Sequence, residues 1–403
     1  MPGPCYIVPP HLLRGIAESE HNSEATRRRA RVSLATREHF AKSRFERLIA
    51  LSQASPGGVS RPCPIIPEVL LSRLSVSEHV DEAARSRAKR DLDHLQTLSA
   101  KKPEGGEDRS KNAPYRAVYD AEHAEGERGL PGKLVRAEGQ DKVKDHAVNE
   151  AYDNVGHVLD FYLKKFHWKS IDNKNAKVIS SVHFGESYEN AFWDHEKFQM
   201  VFGDGGEYIG KFTGCIDVIG HEITHAVTEH TSPLDYQGQP GALNEHVSDV
   251  FGIMIKQKLE DEKAHDADWL VGEGCLLPGV KGQALRSMKS PGKAYDDPRF
   301  GKDPQVDNMD KYDDTYEDNG GVHIYSGIPN KAFYLAAVAF GGFSWEKAGQ
   351  IWWKTMNSGR VASRCTFEQF ADVTIDVAKE EFGEEAAKTV RKAWDEVGVT
   401  GSA

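Results

Sequence analysis

The sequence predicts an α+β protein in which a β-rich lobe leads into a helical one, and three features of its 403 residues carry that reading. From Pro114 to Cys215 apolar residues fall in short runs, such as Lys177-Val-Ile-Ser-Ser-Val-His-Phe and Phe198-Gln-Met-Val-Phe. Gly203, Gly205 and Gly206 punctuate them, as in half-buried strands joined by tight turns. After Cys215 the apolar period lengthens to that of helices. At the changeover stands Gly220-His-Glu-Ile-Thr-His225.

The elements follow in order. Residues 5–34 and 63–92 are two copies of one unit, identical at fourteen of thirty positions. Cys5-Tyr-Ile-Val-Pro aligns with Cys63-Pro-Ile-Ile-Pro, and Ser19-Glu-His with Ser77-Glu-His. Each copy reads as an extended, Pro-containing start followed by a helical stretch. Gly57-Gly58 and the Lys/Gly/Glu/Ser-rich run 101–112 read as linkers. A helix from about Val148 to Lys165 interrupts the strands, and further helices are predicted for Asp217 to Glu229, Leu243 to Glu260, Gly327 to Phe340, Trp345 to Met356 and Thr366 to Phe382. The expected organisation is a first prosegment copy at 1–55, a second copy with linker at 56–112, a β-rich lobe at 113–215 and a helical lobe at 216–403.

Composition narrows the function classes. The net charge of −11 disfavours nucleic acid as the main partner, since phosphate binding needs a basic surface. Residues 1–50 differ, with nine Lys and Arg against five Glu, so this segment can dock electrostatically on an acidic body. No eighteen-residue apolar run exists to span a membrane. The first residues run into Pro9 and Pro10 without the pattern of a cleaved leader. Five widely spaced cysteines define no disulfide framework.

The chemistry concentrates at His221, Glu222 and His225. Two histidines four apart lie one above the other on a helix, so both can reach one ion, with Glu222 beside the open position. Glu245, in Asn-Glu-His-Val-Ser-Asp, supplies a third ligand from the start of a second helix. Asp249, one turn on, is placed to accept the other ring N–H of His221, and Asn244 that of His225. Two imidazoles and one carboxylate leave zinc a net positive charge that polarises a carbonyl and acidifies water. Glu222 is then the general base, and the predicted reaction is hydrolysis of an amide. In Asp318-Asn-Gly-Gly-Val-His323 the carboxylate can orient His323 as a donor to the developing oxyanion. Asn190-Ala-Phe-Trp, just before a strand, can present main-chain and amide groups to a substrate backbone.

These runs, with Gly241-Ala-Leu-Asn-Glu, Leu285-Arg-Ser-Met and Gly320-Gly-Val-His-Ile-Tyr-Ser-Gly-Ile-Pro-Asn-Lys, resemble the thermolysin-like peptidases over roughly residues 114–400. The resemblance implies a two-lobe fold and a zinc endopeptidase with ligands His221, His225 and Glu245. It implies Tyr236 and His323 near the oxyanion, Arg286 on a substrate carbonyl, and Asn190 and Ala191 on the substrate backbone. Phe212, Val218, Val271 and Leu285 match the apolar subsite after the scissile bond, so cleavage before bulky apolar residues is expected. Family members are usually secreted. The run Ile7-Val-Pro-Pro-His-Leu-Leu-Arg resembles the short prosegment of the protealysin branch, which implies latency through a prosegment acting in cis. The second copy replaces Pro10 by Glu68 and His11 by Val69, so the first matches better. Cys5 and Cys63 each stand four residues before a Pro expected near the active site, which predicts a thiolate in place of water on the zinc, a cysteine switch.

A calcium double site of the family is matched at Asp217, Asp268 and Glu273, but Lys256 and Leu270 replace two acidic positions, and an ammonium among carboxylates predicts no calcium there. Two other functions fit parts of the pattern. A zinc aminopeptidase would need an acidic anchor for a free N-terminus, and no Gly-x-Met-Glu-Asn run is present; a non-catalytic zinc-dependent binding module would have no use for Glu222 and His323.

Overall fold

The computed structural model describes residues 5–37, 115–124, 129–194, 197–313 and 318–401; the second copy of the repeated unit, residues 63–92, lies outside them. The described residues belong to one compact unit. Its first lobe is a mixed six-stranded sheet. Strand β1 (Cys5–Tyr6) is followed in sequence by β2 (Arg116–Asp120), β3 (Lys133–Ala137), β4 (Val178–Val182), β5 (Ala191–Asp194) and β6 (Gln199–Phe202), in the spatial order β1-β5-β6-β4-β2-β3. Strands β2, β4 and β6 pair in parallel, while the outer pairs are antiparallel. The edge strand β1 comes from the N-terminal copy and pairs with β5 in the register Cys5 to Trp193 and Tyr6 to Phe192. Asn190-Ala-Phe-Trp therefore does not precede a strand: Ala191 opens one, because its β-prone aromatic residues are buried on both faces between β1 and β6.

After β1 come helix α1 (Pro10–Glu18) and helix α2, residues 24–37. Pro10 occupies the first turn of α1, where its missing N–H leaves no bond unmade. Gly15 lets α1 lie against the backbone of Phe300, since an added Cβ would stand 2.1 Å from that carbonyl oxygen. Helix α3 (His146–Phe166) starts at Asp145, whose carboxylate accepts the N–H of Val148, and ends at left-handed His167. It lies across the sheet with Val148, Val155, Leu159 and Tyr162 buried.

The second lobe is built on α4 (Ile216–Thr231) and α5 (Gly238–Glu260), both buried along most of their length. Helix α5 starts seven residues before Glu245 rather than at it, because Gly238 and Pro240 fit a first turn that needs no intrahelical N–H bonds. Short strands β7 (Leu270–Val271) and β8 (Arg286–Ser287) follow. Then come α6 (Asp318–Tyr325), α7 (Gly327–Phe340), α8 (Lys347–Met356), α9 (Phe367–Phe382) and α10 (Glu384–Glu396). The last of these escapes the periodicity argument. Its mean hydropathy is low, and only Ala386, Ala387, Val390, Ala393 and Trp394 carry its buried stripe.

Helices α4 and α5 touch at glycines. An added Cβ on Gly252 would stand 2.5 Å from the Asp217 carbonyl oxygen, and one on Gly220 would stand 3.0 Å from the Gly252 Cα. Gly252→Ala is therefore expected to force the helices apart and to cost about 2 kcal/mol in denaturant unfolding; an unchanged midpoint would show that the contact is not tight.

Candidate metal centre

Helix α4 aims His221 and His225 at one point, and α5 brings Glu245 to it. The two Nε2 atoms are 3.0 Å apart. Glu245 places its oxygens 3.4 Å from His221 Nε2 and 3.6 Å from His225 Nε2. Two nitrogens each about 2.1 Å from a tetrahedral zinc would stand roughly 3.4 Å apart, so the donor set fits zinc in type, and small side-chain shifts bring it to that spacing. Among the described residues these three form the only such cluster of His, Cys, Asp and Glu.

The imidazoles are held from behind. Asp249 Oδ1 lies 2.8 Å from His221 Nδ1, while Asn244 Oδ1 lies 2.8 Å and Ser248 Oγ 3.0 Å from His225 Nδ1. Burial and the neighbouring His221 push His225 down to about 3, so it stays a neutral donor. For His221 burial works the same way, but hydrogen bonds to Asp249 and Glu245 overcome it and lift the ring to about 9. Metal uptake at neutral pH would then release a proton.

Glu222 is buried, and apart from the Trp193 backbone N–H, which pulls weakly on its carboxyl, neither carboxyl oxygen has a well-formed hydrogen bond among the described residues. Burial raises it to about 8. An orphaned carboxyl costs free energy unless water or a cation answers it, so its position beside the three donors is a second indication of a metal-and-water site.

His323 closes the far side. It stands on the helical part of α6, after a turn in which Asp318, Asn319, Gly320 and Gly321 all have positive φ, which is why two glycines are needed. That turn folds Asp318 back so that its carboxylate accepts both the backbone N–H and the Nδ1–H of His323, at 3.0 and 2.8 Å. His323 Nε2 is thereby fixed 3.4 Å from Glu245 Oε2. The Tyr236 hydroxyl donates to Glu245 Oε1, so in this structure it rests on the ligand carboxylate. Phe212, Val218, Val271 and Leu285 are all buried in the core cluster that also holds Ile7.

An extended peptide lies through this cleft, and it is the first N-terminal copy. The Tyr6 carbonyl accepts from His323 Nε2 at 2.7 Å. The Ile7 N–H donates to the Ala191 carbonyl at 3.2 Å, and the Ile7 carbonyl accepts from Arg286 Nη1 at 2.9 Å. Val8 is gripped at both ends by the Asn190 amide, at 2.9 and 3.0 Å. Arg286 in turn makes a two-pronged pair with Asp249, both bonds 2.8 Å. Cys63 lies outside the described residues, and Cys5 is described only by its backbone; from the N-terminal copy, the Tyr6 carbonyl oxygen reaches His323.

Sequence reasoning missed several residues here. Ser248 and Asn330, which donates to Asp249 at 2.9 Å, sit inside runs already singled out, but only the fold shows what they touch. Arg37 of α2 reaches Asp318 at 3.2 Å and covers the Tyr6 ring at 4.8 Å. Glu189, next to Asn190, is buried beneath α2: its backbone N–H donates to Ser33 Oγ, and Gly206 leaves no room on the other side. Burial lifts its carboxyl to about 7, against the pull of Arg29.

This last feature sets a pH dependence. A carboxyl raised in the folded chain is fully stabilising only below its ordinary value near 4.5, and that contribution is lost as pH rises through about 7. Glu189→Gln cannot ionise, so wild type is expected to lose roughly 2–3 kcal/mol relative to the variant between pH 5 and 8. Parallel unfolding curves across that range check this; a constant gap would refute it.

Comparison with known proteins agrees with the geometry. Residues 87–229 match the family description "Thermolysin metallopeptidase, catalytic domain" and residues 232–399 "Thermolysin metallopeptidase, alpha-helical domain". The chain is 46% identical over 345 residues to an extracellular metalloprotease of Pectobacterium carotovorum subsp. carotovorum, covering 84% of this chain and 97% of that protein. It is 43% identical over 346 residues to Protease PrtS of Photorhabdus sp. (strain Az29), covering 83% and 91%. The structure of the precursor of protealysin, a metalloproteinase from Serratia proteamaculans, superposes with a TM-score of 0.70 at 46% identity, over 82% of this chain and 97% of that one.

Proposed function

This chain belongs to the thermolysin family of metallopeptidases, and from that membership and the geometry of its cleft we propose how it works as a latent zinc endopeptidase. His221, His225 and Glu245 would hold the zinc. Once bound, the ion would polarise a peptide carbonyl and acidify water. Glu222 takes a proton from the attacking water and delivers it to the departing amine. His323, oriented by Asp318, donates to the oxygen that gains charge, with Tyr236 able to turn toward it from Glu245. Arg286 holds the carbonyl after the scissile bond, Ala191 and Asn190 hold the main chain around it, and Phe212, Val218, Val271 and Leu285 receive a bulky apolar side chain.

One observation carries this reading. The carbonyl of Tyr6 meets His323, and the following N–H and carbonyl meet Ala191 and Arg286. Each of these groups grips peptide backbone, so the cleft is built for an extended polypeptide and not for a free N-terminus. In the latent chain we assign that place to residues 6–8 of the first copy, anchored on the 295–300 loop by His11 of α1 to Tyr295 and, beyond the end of α1, by Asn22 to the Arg299 carbonyl. Residues 1–55 and 56–112 are then successive prosegment copies before lobes at 113–215 and 216–403. The extracellular relative suggests that the enzyme works after export.

Glu222→Gln in the processed enzyme is expected to lower kcat by about 10³-fold on a peptide blocked at both ends, with zinc content unchanged. Wild type that fails to cut the blocked peptide, or that is indifferent to chelators, would overturn the proposal.

The family's calcium double site is proposed absent. Lys256 Nζ sits where a cation would, donating to Asp268, to Glu273 at 3.0 Å and to the Leu270 carbonyl at 3.3 Å. Burial opposes its charge, but the Glu273 hydrogen bond and the field of Asp217 and Asp268 hold it protonated. Asp217 itself accepts the Gly272 N–H at 2.6 Å. Calorimetry on the zinc-loaded chain is expected to show no tight calcium site here; tight binding that disappears in Asp217→Ala would count against it.

A further inference from the structure

Two thiols that take no part in the chemistry above face each other behind the apolar subsite. Cys215 Sγ and Cys275 Sγ are 3.3 Å apart, Cys275 fully buried and Cys215 nearly so. Their backbones are fixed independently. The Cys215 carbonyl accepts the N–H of Ile219 and so begins the bonding ladder of α4. The Cys275 carbonyl accepts the Gly210 N–H at 3.0 Å, and its own N–H bonds the Gly272 carbonyl at 3.1 Å. Gly274 makes the room: a Cβ there would stand 2.9 Å from Cys215 Sγ. A disulfide needs the sulfurs about 2.05 Å apart, so closure asks for roughly 1.2 Å of approach, within reach of side-chain rotation.

We propose that Cys215 and Cys275 form a disulfide when the folded chain meets a small-molecule disulfide, a covalent staple between the start of the metal helix and the 270–275 segment. Cys215, the only one of the two with any exposure, attacks a sulfur of the small disulfide and expels one thiolate, which takes up the proton Cys215 gave up. Cys275 then attacks Cys215 Sγ, losing its proton as the second small thiolate leaves. Two protein thiols and one small disulfide become one protein disulfide and two small thiols, so electrons and atoms balance.

The staple joins segments that other contacts already tie. Gly272 N–H bonds Asp217 of α4, and Lys256 of α5 holds Asp268 and Glu273 on either side of β7. Val218 and Val271, expected in the subsite wall, lie within four residues of the two sulfurs. Oxidation therefore stiffens that wall without touching the ligands. The link closes a loop of some sixty residues, long enough for a large entropic effect on the unfolded chain.

The test uses the full-length chain, purified reduced, incubated in its native state with oxidised glutathione, acid-quenched, alkylated in denaturant and digested without reduction. A single bridged peptide pair joining Cys215 to Cys275 is expected, together with a melting temperature several degrees higher that dithiothreitol reverses. The double variant Cys215→Ala, Cys275→Ala is expected to show no glutathione-dependent shift. Recovery of both cysteines alkylated, glutathione remaining on Cys215, or a bridge from either to Cys5, Cys63 or Cys365 would overturn the proposal. None of these outcomes bears on zinc or on peptide hydrolysis.

Discussion

One buried carboxylate holds the site together. Asp249 accepts from His221 Nδ1, receives both prongs of Arg286 and takes the Asn330 amide, all within 2.8 to 2.9 Å. The metal ligand and the group that grips peptide backbone are therefore positioned by the same two oxygens. Moving one moves the other, which keeps the carbonyl to be polarised in register with the ion that polarises it. Burial alone would drive Asp249 neutral, but the field of Arg286 and the His221 bond keep it ionised. Such a network is costly to desolvate and is retained for geometry more than for stability.

The rest of the second lobe serves that geometry. Two helices that bury almost every residue cannot slide, and Gly220 and Gly252 bring them close enough for side chains of α5 to reach rings on α4. Lys256 of α5 ties that helix to the following segment by ion pairs with Asp268 and Glu273. In the first lobe β5 is the outermost strand contributed by residues after the N-terminal copy, and β1 of that copy pairs along it to become the edge of the sheet. The N-terminal copy holds to β5 by main-chain pairing, which reads direction and register but little sequence. Sequence-specific contacts come from elsewhere: Arg37 on Asp318 and Tyr6, His11 on Tyr295, and α2 over Glu189.

The cluster of His221, His225 and Glu245, with Asp249 behind it, was legible because the helix period sets the spacing within each helix: His221 and His225 stand one turn apart on one, and Glu245 and Asp249 one turn apart on a second. Asp318 and His323 were legible because only a Gly-Gly reversal brings residues five apart back into contact. Limits of the elements were read less well where propensity and burial disagree. Helix α5 begins earlier than its apolar pattern, since Gly238 and Pro240 tolerate a first turn, and α10 hides its narrow stripe among charged residues.

Short-range periodicity and motif spacing thus determined what this chain is: two lobes, a metal helix at their junction, and a duplicated N-terminal unit set before them. Tertiary structure decided what could only follow from contacts between distant residues. It put the Tyr6 carbonyl on His323 Nε2, across more than three hundred residues of chain, set Ser33 over Glu189, and placed Cys215 beside Cys275, sixty positions away. The physical reason is that a helix or turn constrains neighbours within a few residues, whereas pairing across a sheet edge or between packed helices depends on the closed shape of the whole chain.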